Sequence, residues 1–373
     1  MQKFFAITFF LSLQYLVAAQ QKDSALIKAL IDDIAASQVK TGGEFYAGMF
    51  PTFRECGGAP HNYQPDNNIF FTAITAFGLR NMLPYLNEEQ RQQATSIIEK
   101  IVAVYPKYQN QFGDPFYNFW PTGKPIMPHT YFFKWLKGVF GQGDDADDTV
   151  MILMTGNSSD SIIKVVKQRM LRVANLATEN RKIKSTYKEY RNIPAHSTYL
   201  GLRMPPDFDF AVQCNLLYFM FDKKLLLVKQ DSATIELLAA MVKNREYMTA
   251  PAYISPYYVT SPILLYHLTR LMAAFKIPAL EMYKPQVAKD IHALLENKTN
   301  IMDQIILRTS LLRLGEPAPA LDIKSIKEFE ESNQEQFIFF QARAAFSYPS
   351  PFKQIFLHFS YINYYFYCPV YNK

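Results

Sequence analysis

The amino-acid sequence predicts an all-α protein, and three observations support that class. Apolar residues recur along most of the chain with the i, i+3/i+4, i+7 spacing of a helix that buries one face. Glycine is scarce, at 14 in 373 residues, where average usage would give roughly 26. Neither a GxGxxG nor a GxxxxGKS/T segment occurs, so the glycine-lined nucleotide sites of α/β proteins are disfavoured. Long helices, which need few tight turns, account for all three observations.

The helical spacing is found in about twelve stretches of the chain. They cover residues 24–37, 68–83, 88–104, 129–140, 148–154, 159–176, 209–221, 232–242, 261–275, 286–296, 300–314 and 323–331. Ser261 followed by Pro262 is typical of an N-cap and a first helical position. Asn87 before Glu88 and Glu89 is typical of a capped, acidic helix start. Because the loops between these stretches are short, we expect antiparallel helix pairs.

Many of these helices are apolar on two sides, which favours packing in two layers. An α/α toroid, a barrel of helical hairpins with an inner and an outer ring, uses about twelve helices in this way. An irregular solenoid of stacked helices is the alternative, and the chain has no repeat of fixed length that distinguishes the two. No linker rich in Gly and Ser divides the chain, so residues 20–373 are expected to form a single domain.

Two aromatic stretches interrupt the helical pattern. Residues 105–128 contain more prolines than a helix tolerates and more aromatic rings than an ordinary loop, which predicts an ordered connection that lines a cavity. Residues 336–371 are also rich in aromatic rings, and the run 336–340 has the composition of a strand. A small C-terminal β-hairpin is therefore expected to close the toroid.

The first 19 residues have the pattern of a signal peptide. Lys3 supplies the positive charge, residues 4–17 supply the apolar run, and Val17, Ala18 and Ala19 supply a cleavage site before residue 20. A membrane anchor is the alternative, but the apolar run is shorter than the roughly 20 residues that span a bilayer. The chain is expected to be exported, to the periplasm or the extracellular space, and to have no stable membrane span.

The remaining composition argues against metal, cofactor and nucleic-acid binding. Cys56, Cys214 and Cys368 form no CxxC pair, and the six histidines show no HxxxH or HExxH spacing. Two arrangements of the cysteines are open: one disulfide with one free thiol, or three buried cysteines without a disulfide. The second is favoured. The net charge of +6 is spread along the chain with acids among the bases, so no nucleic-acid partner is predicted.

One acidic segment carries the strongest chemical signal in the chain. Four carboxylates occur in the five positions Asp144-Asp145-Ala146-Asp147-Asp148, directly before an apolar run. Helix N-termini favour anions, so Asp147 or Asp148 is expected to be an N-cap. Crowded carboxylates in an apolar cavity also retain protons to higher pH, which makes Asp145, Asp147 and Asp148 candidate acids. Capping and solvation alone are the alternative, and a magnesium site is disfavoured because no second acidic cluster is present.

The segment Asp145-Ala146-Asp147-Asp148-Thr149 resembles the DxDDT signature of class II terpene cyclases of the squalene–hopene type. The resemblance implies an α/α toroid and an acid-initiated cyclase or isomerase of an isoprenoid-like substrate, in which Asp147 protonates an alkene or epoxide. It also implies that Asp145 and Asp148 are hydrogen-bonding partners that tune Asp147. The chain lacks the glutamine–tryptophan repeats and the second toroid of that family, so the resemblance is to a distant relative.

Two other functions remain open from the sequence. Exported α/α toroids often bind or cleave polysaccharides, and a glycan hydrolase or lyase would use Asp147 as its acid and aromatic side chains as sugar platforms. A non-catalytic ligand-binding toroid is the third alternative. The ligand is expected to be a small hydrophobic molecule or a saccharide. The candidate substrate-binding residues are Tyr117, Phe119, Trp120, Asp209 and Tyr258. Asp209 is also a candidate helix cap.

Overall fold

The structure, a computed structural model of the chain, describes residues 21–55, 63–122, 143–202, 204–297, 300–321, 337, 339–341 and 370–371. The predicted signal peptide and the predicted helices 129–140 and 323–331 lie outside the described residues. Two of the three cysteines, Cys56 and Cys368, lie outside them as well.

The described part of the chain is built mainly from helices, which confirms the all-α prediction. In chain order they are α1 (Gln21–Ser37), α2 (Phe70–Met82), α3 (Glu88–Val102), α4 (Ala146–Thr155), α5 (Asp160–Val173), α6 (Phe210–Asp222), α7 (Lys229–Lys243), α8 (Glu246–Thr249), α9 (Pro251–Ile254), α10 (Ser261–Ala274), α11 (Pro278–Glu281), α12 (Lys284–Glu296) and α13 (Ile301–Leu314). The longer helices coincide with stretches of helical spacing, whereas α8, α9 and α11 are single turns that carry no periodic signal. None of the described helices combines the length and the apolar character needed to cross a bilayer.

Two helix starts, at α3 and α10, follow the capping chemistry of the sequence, the second with a shift of one residue. The side chain of Asn87 accepts a hydrogen bond from the N–H of Gln90 at 3.0 Å, and the side chain of Gln90 accepts from the N–H of Asn87 at 3.2 Å, which completes a capping box at α3. At α10 the N-cap is Thr260, so Ser261 is the first helical residue and Pro262 the second. Proline remains within the first turn, where its missing N–H removes no helical hydrogen bond.

Two kinds of helix alternate along the chain. Most residues of the inner helices α2, α4, α6 and α10 are buried, whereas α3, α5 and α12 bury one face only. The inner helices pack in series, α2 on α4, α4 on α6 and α6 on α10, and α10 continues onto α13. Around them, α3 packs on α2, α7 on α6 and α12 on α13. This alternation is expected of helical hairpins, and closure of the series into a toroid stays a prediction.

The starts of the four inner helices lie together. Asp147, the second residue of α4, accepts hydrogen bonds from Asn215 of α6 and from Tyr258, which precedes α10. The ring of Phe70, the first residue of α2, lies 5.8 Å from the ring of Tyr258. Buried polar and aromatic side chains are therefore gathered at one end of the helical core.

A small antiparallel sheet joins two distant parts of the sequence. Its strands are β1 (Phe53–Glu55), β2 (Tyr63–Pro65), β3 (Phe340–Gln341) and β4 (Val370–Tyr371), in the spatial order β2-β1-β4-β3. Arg54 lies opposite Gln64 on one side and Tyr371 on the other. The strand predicted at 336–340 is displaced to begin at Phe340, and the C-terminal pair is part of a larger sheet because β4 also pairs with β1. Strands of two or three residues leave the fold class unchanged.

Candidate active site

The acidic segment forms the start of α4, and Asp145 is its N-cap. Its Oδ1 accepts hydrogen bonds from the backbone N–H groups of Asp147 at 2.8 Å and Asp148 at 3.2 Å. The expectation that Asp147 or Asp148 caps the helix is therefore wrong, because both already lie within the first turn. Thr149 donates to the carbonyl oxygen of Asp145 at 2.6 Å and accepts from the N–H of Tyr117 at 3.0 Å. The outer positions of the segment fix the backbone, and the side chain of Asp147 is not used for capping.

The side chain of Asp147 is buried and is held at both oxygens. It is 4% exposed, with Oδ1 accepting from the amide of Asn215 and Oδ2 accepting from the hydroxyl of Tyr258. Both donors come from other inner helices or their flanking residues, so the carboxyl group is positioned by tertiary contacts. Asp145, expected to bond the side chain of Asp147, instead bonds its backbone. A buried carboxyl group with two neutral donors is fixed in direction while its charge is only partly compensated.

Arg270 lies behind Asn215 and supplies the positive charge of the site. Its guanidinium donates to Oδ1 of Asn215, and it lies over the rings of Phe77, Tyr218 and Tyr266 at 4.9, 5.5 and 5.1 Å from their centroids. Cation–π contact with three rings stabilises the buried charge. The amide of Asn215 thus connects the carboxyl group of Asp147 to a buried cation.

His267 also contacts Asn215, with Nδ1 3.1 Å from Oδ1. Because the amide nitrogen of Asn215 donates to Asp147 and its oxygen accepts from Arg270, we assign the proton of His267 to Nδ1. Its buried Nε2 has no hydrogen-bond partner among the described residues. Burial, together with the charges of Arg270 and Arg313, holds the pKa of His267 well below its ordinary value. Nε2 is therefore an unprotonated base in an apolar environment.

The carboxyl groups around α4 retain protons to unusually high pH. Burial raises the pKa of Asp147, while hydrogen bonds from Tyr258 and Asn215 and the charge of Arg270 oppose the rise. Burial and the charge of Asp147 raise the pKa of Asp145 to about 7. Burial and the two neighbouring carboxylates raise the pKa of Asp148 well above its usual range, and its Oδ1 has no partner among the described residues. Burial and mutual repulsion therefore both favour the protonated forms of these carboxyl groups.

Asp209 is the N-cap of α6. Its Oδ1 accepts from the N–H groups of Ala211 at 2.9 Å and Val212 at 3.2 Å and from the hydroxyl of Ser255 at 2.6 Å. Its Oδ2 accepts from the N–H of Tyr257 at 3.2 Å. Asp209 is therefore a helix cap, which was one of the two roles considered for it from the sequence. Its four donors also hold the segment that carries Tyr257 against the start of α6. Burial raises its pKa to about 7 against the donors that hold it.

Four rings form an aromatic wall beside Asp147, which we define as Phe70, Tyr258, Phe339 and Phe340. The ring of Tyr258 lies 5.8 Å from Phe70, 5.9 Å from Phe339 and 5.6 Å from Phe340. It also lies 4.8 Å from the imidazole of His267. The C-terminal segment thereby contributes two rings to the same cluster as the inner helices, although they are far apart in sequence.

The predicted aromatic residues before α4 reach this wall in different degrees. Phe119 stacks on Phe340 with centroids 5.1 Å apart and contacts Trp120 edge to face at 4.8 Å. The indole of Trp120 donates to Asp66 at 3.1 Å. Tyr117 is joined to the start of α4 through its backbone, since its carbonyl accepts from the N–H of Asp145 at 2.8 Å. All three predicted rings are half-buried.

Sequence reasoning missed three polar residues of the site and the rings of the C-terminal segment. Asn215, His267 and Arg270 are buried, and each lies in a helix that is otherwise apolar on nearly all sides. Polar groups inside such helices are the available signal, because a buried polar side chain requires a partner. His267 and Arg270 are three positions apart and therefore share a helix face.

Comparisons with known proteins add no relative: no family model matches the chain, and no curated protein or solved structure is significantly similar to it. Within the described ranges, no group of three or more His, Cys, Asp or Glu side chains is arranged to hold a metal ion. The chemistry of the site has to be derived from its own side chains.

Proposed function

We propose that the chain is an exported enzyme that starts a cyclisation or isomerisation of an isoprenoid-like substrate by protonating it from Asp147. The observation that supports this proposal is the buried carboxyl group of Asp147, fixed by Tyr258 and Asn215 beside the aromatic wall. An acid strong enough to protonate an alkene or epoxide must be positioned rigidly and kept out of bulk water, because water would compete for the proton.

The first step transfers a proton from Asp147 to a carbon of the substrate double bond, or to the oxygen of an epoxide. The π bond of an alkene supplies the electron pair that binds the proton. In an epoxide a lone pair of oxygen binds the proton, and a C–O bond then breaks with both electrons going to oxygen. In either case a carbocation remains on the substrate. The aspartate formed is stabilised by the hydrogen bonds of Tyr258 and Asn215, and through Asn215 by the charge of Arg270. Burial raises the pKa of the neighbouring Asp148 well above its usual range, which disfavours a second negative charge beside this aspartate.

The later steps use the aromatic wall and His267. The faces of Phe70, Phe339 and Phe340 stabilise a carbocation by cation–π contact, and an apolar wall offers no nucleophile that would trap it. Nε2 of His267 accepts a proton from the carbocation, which closes the reaction as an alkene without a net change of atoms. The proton then returns to Asp147 through solvent.

The test is turnover of linear polyprenyl alcohols and their terminal epoxides by the full chain in deuterium oxide. Acid initiation places deuterium from solvent on carbon when an alkene is protonated, and a ring product forms from an epoxide. Asp147→Asn should abolish product at every pH while the melting temperature changes little. Mass spectrometry of the extracted product measures both label and yield.

A matched control uses another buried carboxylate. Asp290 of α12 is 2% exposed and accepts from Arg245 and Tyr247 rather than from any residue of the site. Asp290→Asn should keep product formation per folded molecule. If Asp147→Asn unfolds the chain while its folded fraction still forms product, the carboxyl group has only a structural role.

A second candidate is a glycan-active enzyme, favoured by the half-buried rings of Tyr117, Phe119 and Trp120 beside the acid segment. Aromatic rings that are partly accessible hold sugar rings in glycan-active enzymes, and Asp147 would protonate the glycosidic oxygen. Release of reducing ends from polysaccharides, lost in Trp120→Ala and in Asp147→Asn, would favour this function over the first. Ligand binding without turnover by either substrate class would leave a non-catalytic binding protein.

Export forms part of the proposal and depends on residues 1–19, which lie outside the described residues. Cleavage after Ala19 leaves a mature chain that starts at Gln20. Expression of the full chain in a secreting host, followed by N-terminal sequencing of the cell-free fraction, tests this. A product that remains in the cytoplasm and still starts at Met1 would contradict export.

A further inference from the structure

A second concave site lies beside the end of α5 and is lined by residues that the Asp147 site does not use. The cavity has a volume of about 550 Å³, which lies in the range of small-molecule sites in proteins. Four of its lining side chains are basic: Arg172, Arg181, Lys182 and Lys184. No Asp or Glu occurs among the described residues that line it.

Arg181 forms a fixed part of the cavity wall. Its Nε donates to the carbonyl of Val173 at 3.1 Å, and its two terminal nitrogens donate to the carbonyls of Leu202 and Met204, each at 3.1 Å. Three backbone acceptors hold the guanidinium plane in one orientation. Arg181 thereby joins the end of α5 to Leu202 and Met204, so the shape of the cavity does not depend on exposed side chains alone.

The other three cations are uncompensated within the described structure. Arg172, Lys182 and Lys184 are exposed, and none of them forms an ion pair or a hydrogen bond with another described residue. Scattered surface cations usually have acids nearby, whereas three on one concave surface repel each other. A concave surface with one sign of charge raises the local concentration of counter-ions.

The neutral lining residues agree with an anionic ligand of moderate size. Thr178 and Asn180 supply a hydroxyl and an amide, both exposed, and these groups donate hydrogen bonds to oxyanions. Pro205 and Pro206 supply rigid apolar surface to the lining. Guanidinium and ammonium groups combined with hydroxyl and amide donors are the groups that proteins use to recognise phosphate and sulfate.

We infer that this cavity binds a ligand that carries phosphate or sulfate groups, through Arg172, Lys182 and Lys184. The inference is independent of the chemistry proposed for Asp147, because the two sites share no residue. The ligand chemistry has two sources, a phosphorylated small molecule and a sulfated saccharide, and two probes separate them. Inorganic pyrophosphate represents the first and a heparin-derived disaccharide the second.

The experiment is isothermal titration calorimetry of the full chain with each probe at low and at moderate salt. We expect at least one probe to bind at low salt and its affinity to fall as salt rises, because exposed charges are screened within about 10 Å. Lys182→Ala with Lys184→Ala should weaken that binding by about tenfold or more, and Lys182→Arg with Lys184→Arg should retain it. Binding of pyrophosphate alone identifies phosphate as the recognised group, and binding of the disaccharide alone identifies sulfate. Binding of both probes identifies a site that accepts either group.

The matched control removes the same charge elsewhere. Lys229 and Lys276 are exposed lysines outside the cavity lining, so Lys229→Ala with Lys276→Ala should leave both affinities within about twofold. Melting temperatures of all three double variants should agree with that of the parent chain. The inference is overturned if neither probe binds at low salt, or if the control variant loses as much affinity as the cavity variant.

Discussion

The hydroxyl of Tyr258 donates a hydrogen bond to Oδ2 of Asp147, joining residues that lie 111 positions apart. Asp147 belongs to the first turn of α4, and Tyr258 precedes α10. The contact joins the carboxyl group to one residue of the aromatic wall and lowers the pKa of Asp147 against the rise caused by burial.

Tyr258→Phe should raise the pKa of Asp147 further, because it removes one of the two donors that stabilise the ionised form. Loss of the ionised state would then begin at higher pH in a ¹³C NMR titration of labelled aspartate carboxyl groups. The free energy of unfolding should fall by about 1–3 kcal/mol, since Oδ2 is left buried without its donor. Tyr257→Phe is the control, because the Tyr257 hydroxyl contacts that of Tyr199 rather than Asp147. Equal titration shifts in both variants would contradict a specific contact.

Asp148→Asn should stabilise the chain at neutral pH and have little effect near pH 4. Burial raises the pKa of Asp148 well above its ordinary value, so the folded state keeps this proton to higher pH than the unfolded state does. Stability contributed by this group is present below the unfolded pKa and is lost as pH rises toward the folded pKa. An asparagine carries no such dependence.

The difference in unfolding free energy between Asp148→Asn and the parent chain should therefore grow with pH, by at most about 1.4 kcal/mol per pH unit. Urea unfolding at several pH values between 4 and 8 measures it. Taking the difference removes the opposing contributions of buried histidines, whose lowered pKa values reduce stability as pH falls. Asp114→Asn, at a carboxylate that is 47% exposed, is the control. Parallel stability curves for parent and Asp148→Asn would contradict the prediction.

Asp231 carries a buried ion pair that is expected to be structural. It accepts from Lys167, from Nε2 of His196 at 2.7 Å and from the N–H of Val228 at 2.7 Å. Burial raises the pKa of Asp231, but these donors outweigh it and leave the pKa below its usual value. Its stabilisation is thus present above the unfolded pKa and is lost as pH falls through the folded pKa.

Asp231→Ala should reduce the free energy of unfolding by about 3–5 kcal/mol, because it removes the acceptor of the half-buried Lys167 and of the buried His196. Asp222→Ala is the matched control: its ion pair with Lys223 is 38% exposed on the aspartate side, and exposed pairs contribute about 0–1 kcal/mol. Both values come from urea unfolding at pH 7. A loss of similar size in the two variants would show that the Asp231 cluster adds no stability of its own.

Local patterns in the sequence predicted the helices well because period and capping depend on neighbouring residues. The capping box of Asn87 is an example, since both partners lie within four positions. The choice of cap at α4 was wrong because several aspartates in a row can each accept from the following N–H groups, and only the observed helix start selects Asp145. The prediction still placed the acid segment at the correct helix end.

The remaining features depend on contacts between distant residues. Asn215 and His267 lie in apolar helices, and nothing in their local sequence indicates that both contact the site of Asp147. The pairing of β1 with β4 could not be predicted from the sequence either. Strands of two or three residues are too short to show a detectable alternation of apolar and polar residues. Tertiary packing determines both the contacts of these side chains and the strand pairing, and neither can be inferred from local periodicity.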